Sequence, residues 1–349
     1  MTESIFKELG EAGIYPYGTD ELLRFEKQLT RYFSREYQRY AGNKEPVDVS
    51  SGPIALAAED LADQHYDEGI AFFKTFLDDE TMSYTMAYFD EEPEKALHSS
   101  KTLGQAQTDK FDLIASRLEL SGDEKLLNIG CGFGYFESFL LERYPELRIT
   151  STTHSRDQYD FILQRRKDSD DILSSDRFTL FYGEINDDTV AMLGEGVYDV
   201  VTSVGLMEQI NNIGVFYAMI SQLLADNGRM FHHLIVSRDL IPQFLDPGET
   251  LIGEYFPGGK VLPFYTLKDN HFEHFELQNA WFINGMNYWH TLDDWHRNFW
   301  ENLAQVYPSI MTQQRVDYWN KYFVLCKALF YPENGQAYGN GQYLYRKRG

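Results

Sequence analysis

Lys125-Leu126-Leu127-Asn128-Ile129-Gly130-Cys131-Gly132-Phe133-Gly134 is an apolar run that closes on glycines at alternate positions, and Tyr135–Tyr144 follows it with apolar residues at helical spacing. A strand that turns through glycines straight into a helix brings its backbone close to a ligand, because glycine alone makes that turn at little steric cost. Outward from this point the alternation continues. Further short apolar or β-branched runs lie at Arg148–Thr152, Phe178–Tyr182, Tyr198–Ser203 and Arg229–Ile235. Helical patterns separate them near Asp157–Lys167, Asp187–Leu193 and Gly214–Leu224. Strands alternating with helices at this pitch predict a doubly wound α/β fold with a mainly parallel sheet. In such a sheet, ligands sit where the loops converge at the carboxyl ends of the strands.

Upstream, Thr19–Tyr40 carries Leu22, Leu23, Phe25, Leu29, Tyr32, Phe33 and Tyr37 at helical spacing. Gly42–Pro53 reads as a linker, and two more helices are expected near Ala55–Lys74 and Ser100–Leu118. Together these predict an N-terminal helical cap. Downstream of about Asp239, aromatic residues mix with helix and strand signals, which predicts a lid over the ligand crevice and the last strands of the sheet.

Bulk properties exclude several classes. The chain has 349 residues and a formal net charge of −23, and the charge argues against nucleic acid as a partner and allows at most peripheral contact with an anionic membrane. The basic clusters Arg165-Arg166-Lys167 and Arg346-Lys347-Arg348 read as a solvated helix end and a solvated tail. No run reaches the roughly 18 apolar residues of a membrane span, and Met1–Lys7 lacks the pattern of a secretory signal. Cys131 and Cys326 read as free thiols of a reducing compartment, so the expected location is cytoplasmic.

The glycine spacing narrows the ligand. The third glycine follows the second by two residues, where the dinucleotide fingerprint has three. The short G-x-G-x-G loop favours S-adenosylmethionine. Asn128 stands where an acidic residue is common, two positions before the first glycine. An amide can orient the loop by hydrogen bonds but brings no charge. Glu208 follows the fourth strand, at the edge where such folds carry chemistry. His232 and His233 sit on the fifth strand, so their side chains are expected on opposite faces. No His, Cys and carboxylate cluster has metal-ligand spacing, and His271 and His274 read as solvated loop residues.

Several motifs together resemble those of the cyclopropane fatty acid synthases and mycolic acid cyclopropane synthases. They are His65-Tyr66-Asp67-x-Gly69-x-x-Phe72-Phe73, Tyr84-Thr85-Met86-Ala87-Tyr88-Phe89, Thr102-Leu103-x-x-Ala106-Gln107-x-x-Lys110, Gly130–Gly134, Thr153-x-Ser155-x-x-Gln158, Ser203-Val204-Gly205-x-x-Glu208, and Tyr255-Phe256-Pro257-Gly258-Gly259. Plant amine N-methyltransferases of the coclaurine type share this frame. The resemblance implies a class I methyltransferase with a Rossmann-like domain over residues 61–349, preceded by a helical segment at 1–60. It implies S-adenosylmethionine contacts at Tyr84, Thr85, Gly130, Gly132, Gly134, Thr153, Gln158 and Glu184. It also implies a bicarbonate general base held at positions matching Met86, Glu208, His233, Ile235 and Tyr288. Of these, Glu208, His233 and Tyr288 would be catalytic, with Met86, Gln209, Ile235, Tyr255 and Phe256 in the substrate pocket. Met86 replaces a cysteine and Gln209 a histidine of the family pattern, losing a polar contact and a group that titrates near neutrality. The activity implied first is C-methylation or cyclopropanation of an unsaturated acyl chain of a phospholipid. The alternative is N-methylation of a small amine. The N-terminal helices would offer a contact for a homodimer.

Overall fold

In a computed structural model of the chain, residues 2–42, 44, 48–54, 69–240, 242–245 and 248–349 are described. The first strand, β1 (Lys125–Ile129), pairs in parallel with β2 (Arg148–Thr153) and with β4 (Tyr198–Val204). β3 (Phe178–Tyr182) extends the sheet beyond β2, and the long β5 (Leu224–Ser237) extends it beyond β4. The parallel order is therefore β3-β2-β1-β4-β5, the doubly wound arrangement expected from the alternation. Chain order reverses between β1 and β4, which opens a crevice above the carboxyl ends of those strands.

β5 outruns β4, and its last residues, Val236 and Ser237, pair in parallel with β7 (Gly259–Pro263), which pairs antiparallel with β6 (Gln243–Leu245). β9 (Tyr338–Lys347) lies antiparallel against β5, and β8 (Phe275–Asn284) antiparallel against β9. The region beyond Asp239 thus supplies the far edge of the sheet as well as cover. Arg346 and Lys347 belong to β9 and are not a loose tail, and Lys347 Nζ donates to Leu224 O at 2.6 Å.

The helices named here are α1 (Thr2–Glu11), α2 (Asp20–Tyr40), α3 (Leu103–Arg117), α4 (Tyr135–Arg143), α5 (Arg156–Arg165), α6 (Asp187–Leu193), α7 (Ile213–Leu223), α8 (Met286–Asn302) and α9 (Gln313–Phe330). α3 starts where it does because Thr102 and Gln105 form a reciprocal capping box. α1 contributes Ile5 and Leu9 to one apolar cluster with Phe72, Phe76, Trp295, Phe299, Trp319 and Phe323. The N-terminal helices and α8–α9 are therefore joined by a common core. Of the helix expected near Ala55–Lys74, residues 55–68 and with them His65, Tyr66 and Asp67 lie outside the described residues. Only Ile70–Phe73 is seen as a helical turn.

The stretch expected as a linker is anchored where it is described, since Ile213 and Gly214 donate their backbone N–H groups to Val49 O at 2.7 and 3.1 Å. Arg165 corrects the reading of a solvated helix end. Its guanidinium is 17 % exposed, pairs with Asp171 at 2.7 Å, and donates to Phe133 O and Ser138 Oγ, tying α5 to the glycine loop. His271 and His274 are exposed, and both cysteines are buried free thiols. No helix among the described residues is long and apolar enough to cross a membrane.

Candidate active site

The glycine loop is built as its spacing requires. Gly130 and Cys131 both donate N–H groups to Thr152 O, at 3.0 and 3.1 Å, which folds the loop back over β2. Gly130, Cys131, Gly132 and Phe133 line a cavity of about 820 Å³ with Asn128, Thr153, His154 and Gln158. Thr153 Oγ1 donates to Gln158 Oε1 at 2.9 Å, and Ser155 caps α5 by accepting from Gln158 N, so Gln158 is held facing the loop. Gly134 plays a different part from the other two. It is the left-handed N-cap of α4, and a Cβ there would meet Leu173 at 3.1 Å and Ile162 at 3.2 Å, so it serves packing and is not among the lining residues. Glu184 is exposed and also absent from that lining.

A second cavity, about 930 Å³, lies on the other side of Tyr84 and Thr85. The two cavities share Tyr84, Thr85, Gly205 and Gln209 as a common wall. That wall is pinned from several directions. Gln107 Nε2 donates to Ser83 O and Thr85 O, Thr291 Oγ1 accepts from Ala87 N, and Asn287 Oδ1 accepts from Phe89 N. Lys110, fully buried, donates to Ser83 Oγ, Thr85 Oγ1 and Gln107 Oε1 at 2.5, 2.8 and 2.6 Å. Burial lowers its amine to about 7. Gly205, at φ +74°, completes the wall, because a Cβ there would lie 2.7 Å from Thr85 Cγ2.

The second cavity is walled by Leu245, Ile252, Val261, Leu292 and Leu329, with aromatic faces from Tyr84, Phe256, Tyr288, Tyr322 and Phe330. Glu208, Gln209, His233 and Ile235 reach it as expected, whereas Met86 and Tyr255 do not. Met86 is fully buried. Tyr255 packs behind Phe256 on Tyr318 and Tyr322, ring centroids 4.7 and 5.6 Å away.

Part of Glu208 faces the cavity while its carboxyl is enclosed. Oε1 accepts the Ile235 backbone N–H at 2.7 Å, and Oε2 is buried with no hydrogen-bond partner among the described residues. Desolvation raises this carboxyl to about 7, against the lowering effect of the backbone hydrogen bonds. His232 and His233 diverge as alternation on a strand requires. His232 contacts Ser203 Oγ at 2.8 Å and stacks on Tyr217, on the side away from the cavity.

His233 faces the cavity, but both its ring nitrogens are engaged. Arg117 donates to Gln342 Oε1 at 2.5 Å, which turns Gln342 Nε2 to His233 Nδ1 at 2.9 Å. Nδ1 is then an acceptor and the ring proton sits on Nε2. The Asn340 nitrogen Nδ2 lies 3.0 Å from Nε2, so meeting that proton requires the amide to turn its oxygen, which is buried without a hydrogen-bond partner among the described residues, toward the ring. Desolvation first, then the charges of Lys110 and Arg117, depress His233 to about 3, so the ring is neutral near pH 7. Lys110, Arg117, Asn340 and Gln342 were not singled out from the sequence. Only Lys110 had a signal there, as a member of the motif that opens α3.

This arrangement bears on bicarbonate. The anion needs donors, yet Ile235 N–H is given to Glu208, both His233 nitrogens are held by amides, and Met86 lies outside the lining. Tyr288 and Lys260 line the same cavity, but the other matching positions do not present the donors the anion needs, and no step is drawn through it. The glycine-loop cavity does fit a cofactor with an adenosine and an amino-acid part. It has backbone approach at Gly130 and Gly132, a capped polar side chain at Gln158, and a buried acceptor, Asn128 Oδ1, with no hydrogen-bond partner among the described residues.

The family model for mycolic acid cyclopropane synthetase matches residues 56–338. The chain belongs to that family. A probable fatty acid methyltransferase of Pseudomonas putida is 27 % identical over 293 residues, 82 % of this chain and 70 % of the relative. Cyclopropane mycolic acid synthase 3 of Mycobacterium tuberculosis is 29 % identical over 279 residues, 76 % of this chain and 90 % of the synthase. Among solved structures, coclaurine N-methyltransferase bound to N-methylheliamine and SAH superposes with a TM-score of 0.81, covering 99 % of both chains at 19 % identity. As a member of the mycolic acid cyclopropane synthetase family, this chain is an S-adenosylmethionine-dependent methyltransferase. Its relatives include both cyclopropane synthases and N-methyltransferases, so family membership leaves the acceptor open.

Proposed function

We propose that this enzyme alkylates the double bond of an unsaturated acyl chain, with Glu208 as the group that takes the proton. The observation that carries this reading is the second cavity itself. Its walls are mainly aliphatic and aromatic, with Lys260 at one side, and the one carboxylate among its described lining residues is enclosed, raised to about 7, and has an oxygen with no hydrogen-bond partner among them. Apolar walls suit an acyl chain and exclude water from the reacting atoms.

S-adenosylmethionine, when bound in the glycine-loop cavity, supplies an electrophilic methyl group. The residues holding it are Gly130, Gly132, Thr153 and Gln158 on one side and Tyr84 and Thr85 on the other. The pinned 83–89 segment separates donor from acceptor and fixes their approach, which is where much of a transfer enzyme's rate arises. Alkylation of a double bond leaves positive charge on carbon. Tyr84, Tyr288, Tyr322 and Phe256 surround that region with π faces that favour a cation. Loss of a proton from the transferred carbon to Glu208 Oε2 forms the third ring bond, closing a cyclopropane and leaving a neutral carboxylic acid. His233 takes no part as a base, since its nitrogens are engaged; it keeps the cavity floor neutral.

The unpartnered Oε2 favours a second reading, N-methylation of an apolar amine, because the same oxygen would pair an ammonium group before deprotonating it. The two are separated by incubating the protein and labelled S-adenosylmethionine with vesicles of unsaturated phospholipid and, separately, with a panel of hydrophobic secondary amines. A gain of about 14 mass units on the acyl chains supports the first reading. Label on amines with unchanged lipid refutes it in favour of the second.

A further inference from the structure

Beneath the glycine loop lies a carboxylate with no cation. Glu137, in the first turn of α4, is fully buried, and no ion pair among the described residues includes it. Its Oε1 accepts from Asn128 Nδ2 at 2.6 Å and from Ser151 Oγ at 2.8 Å. Among the described residues its Oε2 has no hydrogen-bond partner, and neither has Asn128 Oδ1, although both atoms are buried. Asn128 lines the glycine-loop cavity, while Glu137 sits behind it. Desolvation raises this carboxyl above its ordinary value, against the lowering effect of the Asn128 and Ser151 hydrogen bonds and the Arg165 charge, so a cation held nearby would favour its charged form. The two open positions are both acceptors, which calls for a group that only donates. An ammonium, with three donors and no acceptor, meets that description.

The orientation of Asn128 follows from the same contacts. With Nδ2 committed to Glu137, the amide must turn Oδ1 the other way, and an alanine or leucine at 137 would leave it free to flip. Asn128 also stands two residues before Gly130, at the position where an acid is common. The charge absent there is present one layer back, on the first turn of the following helix.

We propose that Glu137 is a cofactor-positioning residue: through Asn128 it supplies the negative charge missing at the end of β1 and holds Asn128 Oδ1 toward the α-ammonium of the methyl donor's amino-acid part. Ser151 fixes the Glu137 carboxylate from the β2 side. This rests on the reading of the glycine-loop cavity as the methyl-donor site.

The test is calorimetric titration of the full chain with two probes, S-adenosylhomocysteine and 5′-methylthioadenosine, which has the ribose and base but no amino-acid part. In Glu137→Gln, near-isosteric with the wild type, S-adenosylhomocysteine should bind about tenfold more weakly, as expected for loss of one charge-assisted contact. Methylthioadenosine should change by less than about twofold, because it lacks the ammonium. Asn128→Asp should also weaken S-adenosylhomocysteine, since it sets two carboxylates at the 2.6 Å separation of the present pair. The exchange variant Asn128→Asp/Glu137→Gln, with one carboxylate and one amide restored, should return to within about threefold of wild type.

Equal weakening of both probes in Glu137→Gln would mean that the residue only supports the loop, and would overturn the proposal. So would no change in either, or an exchange variant no better than the worse single one. Wild-type protein that bound neither probe would overturn the methyl-donor reading of the cavity and this proposal with it.

Discussion

Replacing Glu208 by glutamine separates what its burial costs from what its charge does. The carboxyl stands at about 7 in the folded chain against an ordinary 4.5, so between those pH values the folded state holds a proton that the unfolded chain has released. Stability therefore falls as pH rises through that window. Integrated from pH 5 to pH 8, the loss is at most about 2.5 kcal/mol. Glutamine keeps the acceptor for the Ile235 N–H and cannot ionise, so the variant should lack this loss. Urea unfolding of both proteins at pH 5 and pH 8 measures it. The stability of Glu208→Gln relative to wild type should improve by about 2.5 kcal/mol between the two pH values, whatever its offset at pH 5. An offset that stays constant within about 0.5 kcal/mol would refute an enclosed, strongly desolvated carboxyl. Methyl transfer by the same variant should fall roughly 100- to 10,000-fold if Glu208 takes the proton. Wild-type turnover should rise with pH through about 7, as the carboxylate form appears.

Three further outcomes follow from the site. In Gly205→Ala, the new Cβ meets Thr85 Cγ2 at 2.7 Å and forces a non-glycine residue to φ +74°. Stability should fall by roughly 1–3 kcal/mol, and adding Thr85→Ser, which deletes the clashing methyl, should recover only the steric part on urea unfolding. His233 should remain neutral and carry its proton on Nε2 from pH 5 to 8, read from ¹⁵N shifts of the labelled ring; a charged ring at pH 6 would contradict the Arg117–Gln342–His233 chain. Lys110 works with the opposite sign to Glu208. Its amine is lowered from 10.5 to about 7, so the unfolded chain holds a proton that the folded chain lacks, and stability should rise by roughly 3 kcal/mol from pH 7 to 10. Lys110→Met should abolish that rise, measured as the difference between the two proteins' urea midpoints over the window.

The strand-helix alternation, the glycine loop and the place of Glu208 after β4 could all be read from the sequence, because each is a pattern within a few neighbouring residues. Period, turn chemistry and the ends of strands are local properties, and a doubly wound, mainly parallel sheet follows from them, whereas the order β3-β2-β1-β4-β5 is set by the fold. Alternation along β5 likewise foretold that His232 and His233 would part. What those side chains can do was decided elsewhere. The neutral state of His233 depends on Asn340 and Gln342, more than 100 positions later, and on Arg117, more than 100 earlier. Met86 and Gly134 sit in motifs that read as site residues, yet packing turns the first into core and makes the second a hinge against Leu173 and Ile162. Arg165 read as solvated from its basic neighbours, and only the fold brings Asp171, Ser138 and Phe133 O to its guanidinium. No sequence pattern marks Glu137; β1 and β2 bring Asn128 and Ser151 to one of its oxygens, and no described residue hydrogen-bonds the other. Sequence determines which elements form because their signals are short-range. Burial, partner and protonation state belong to the tertiary structure, because they are set by whatever residue the fold delivers across the gap.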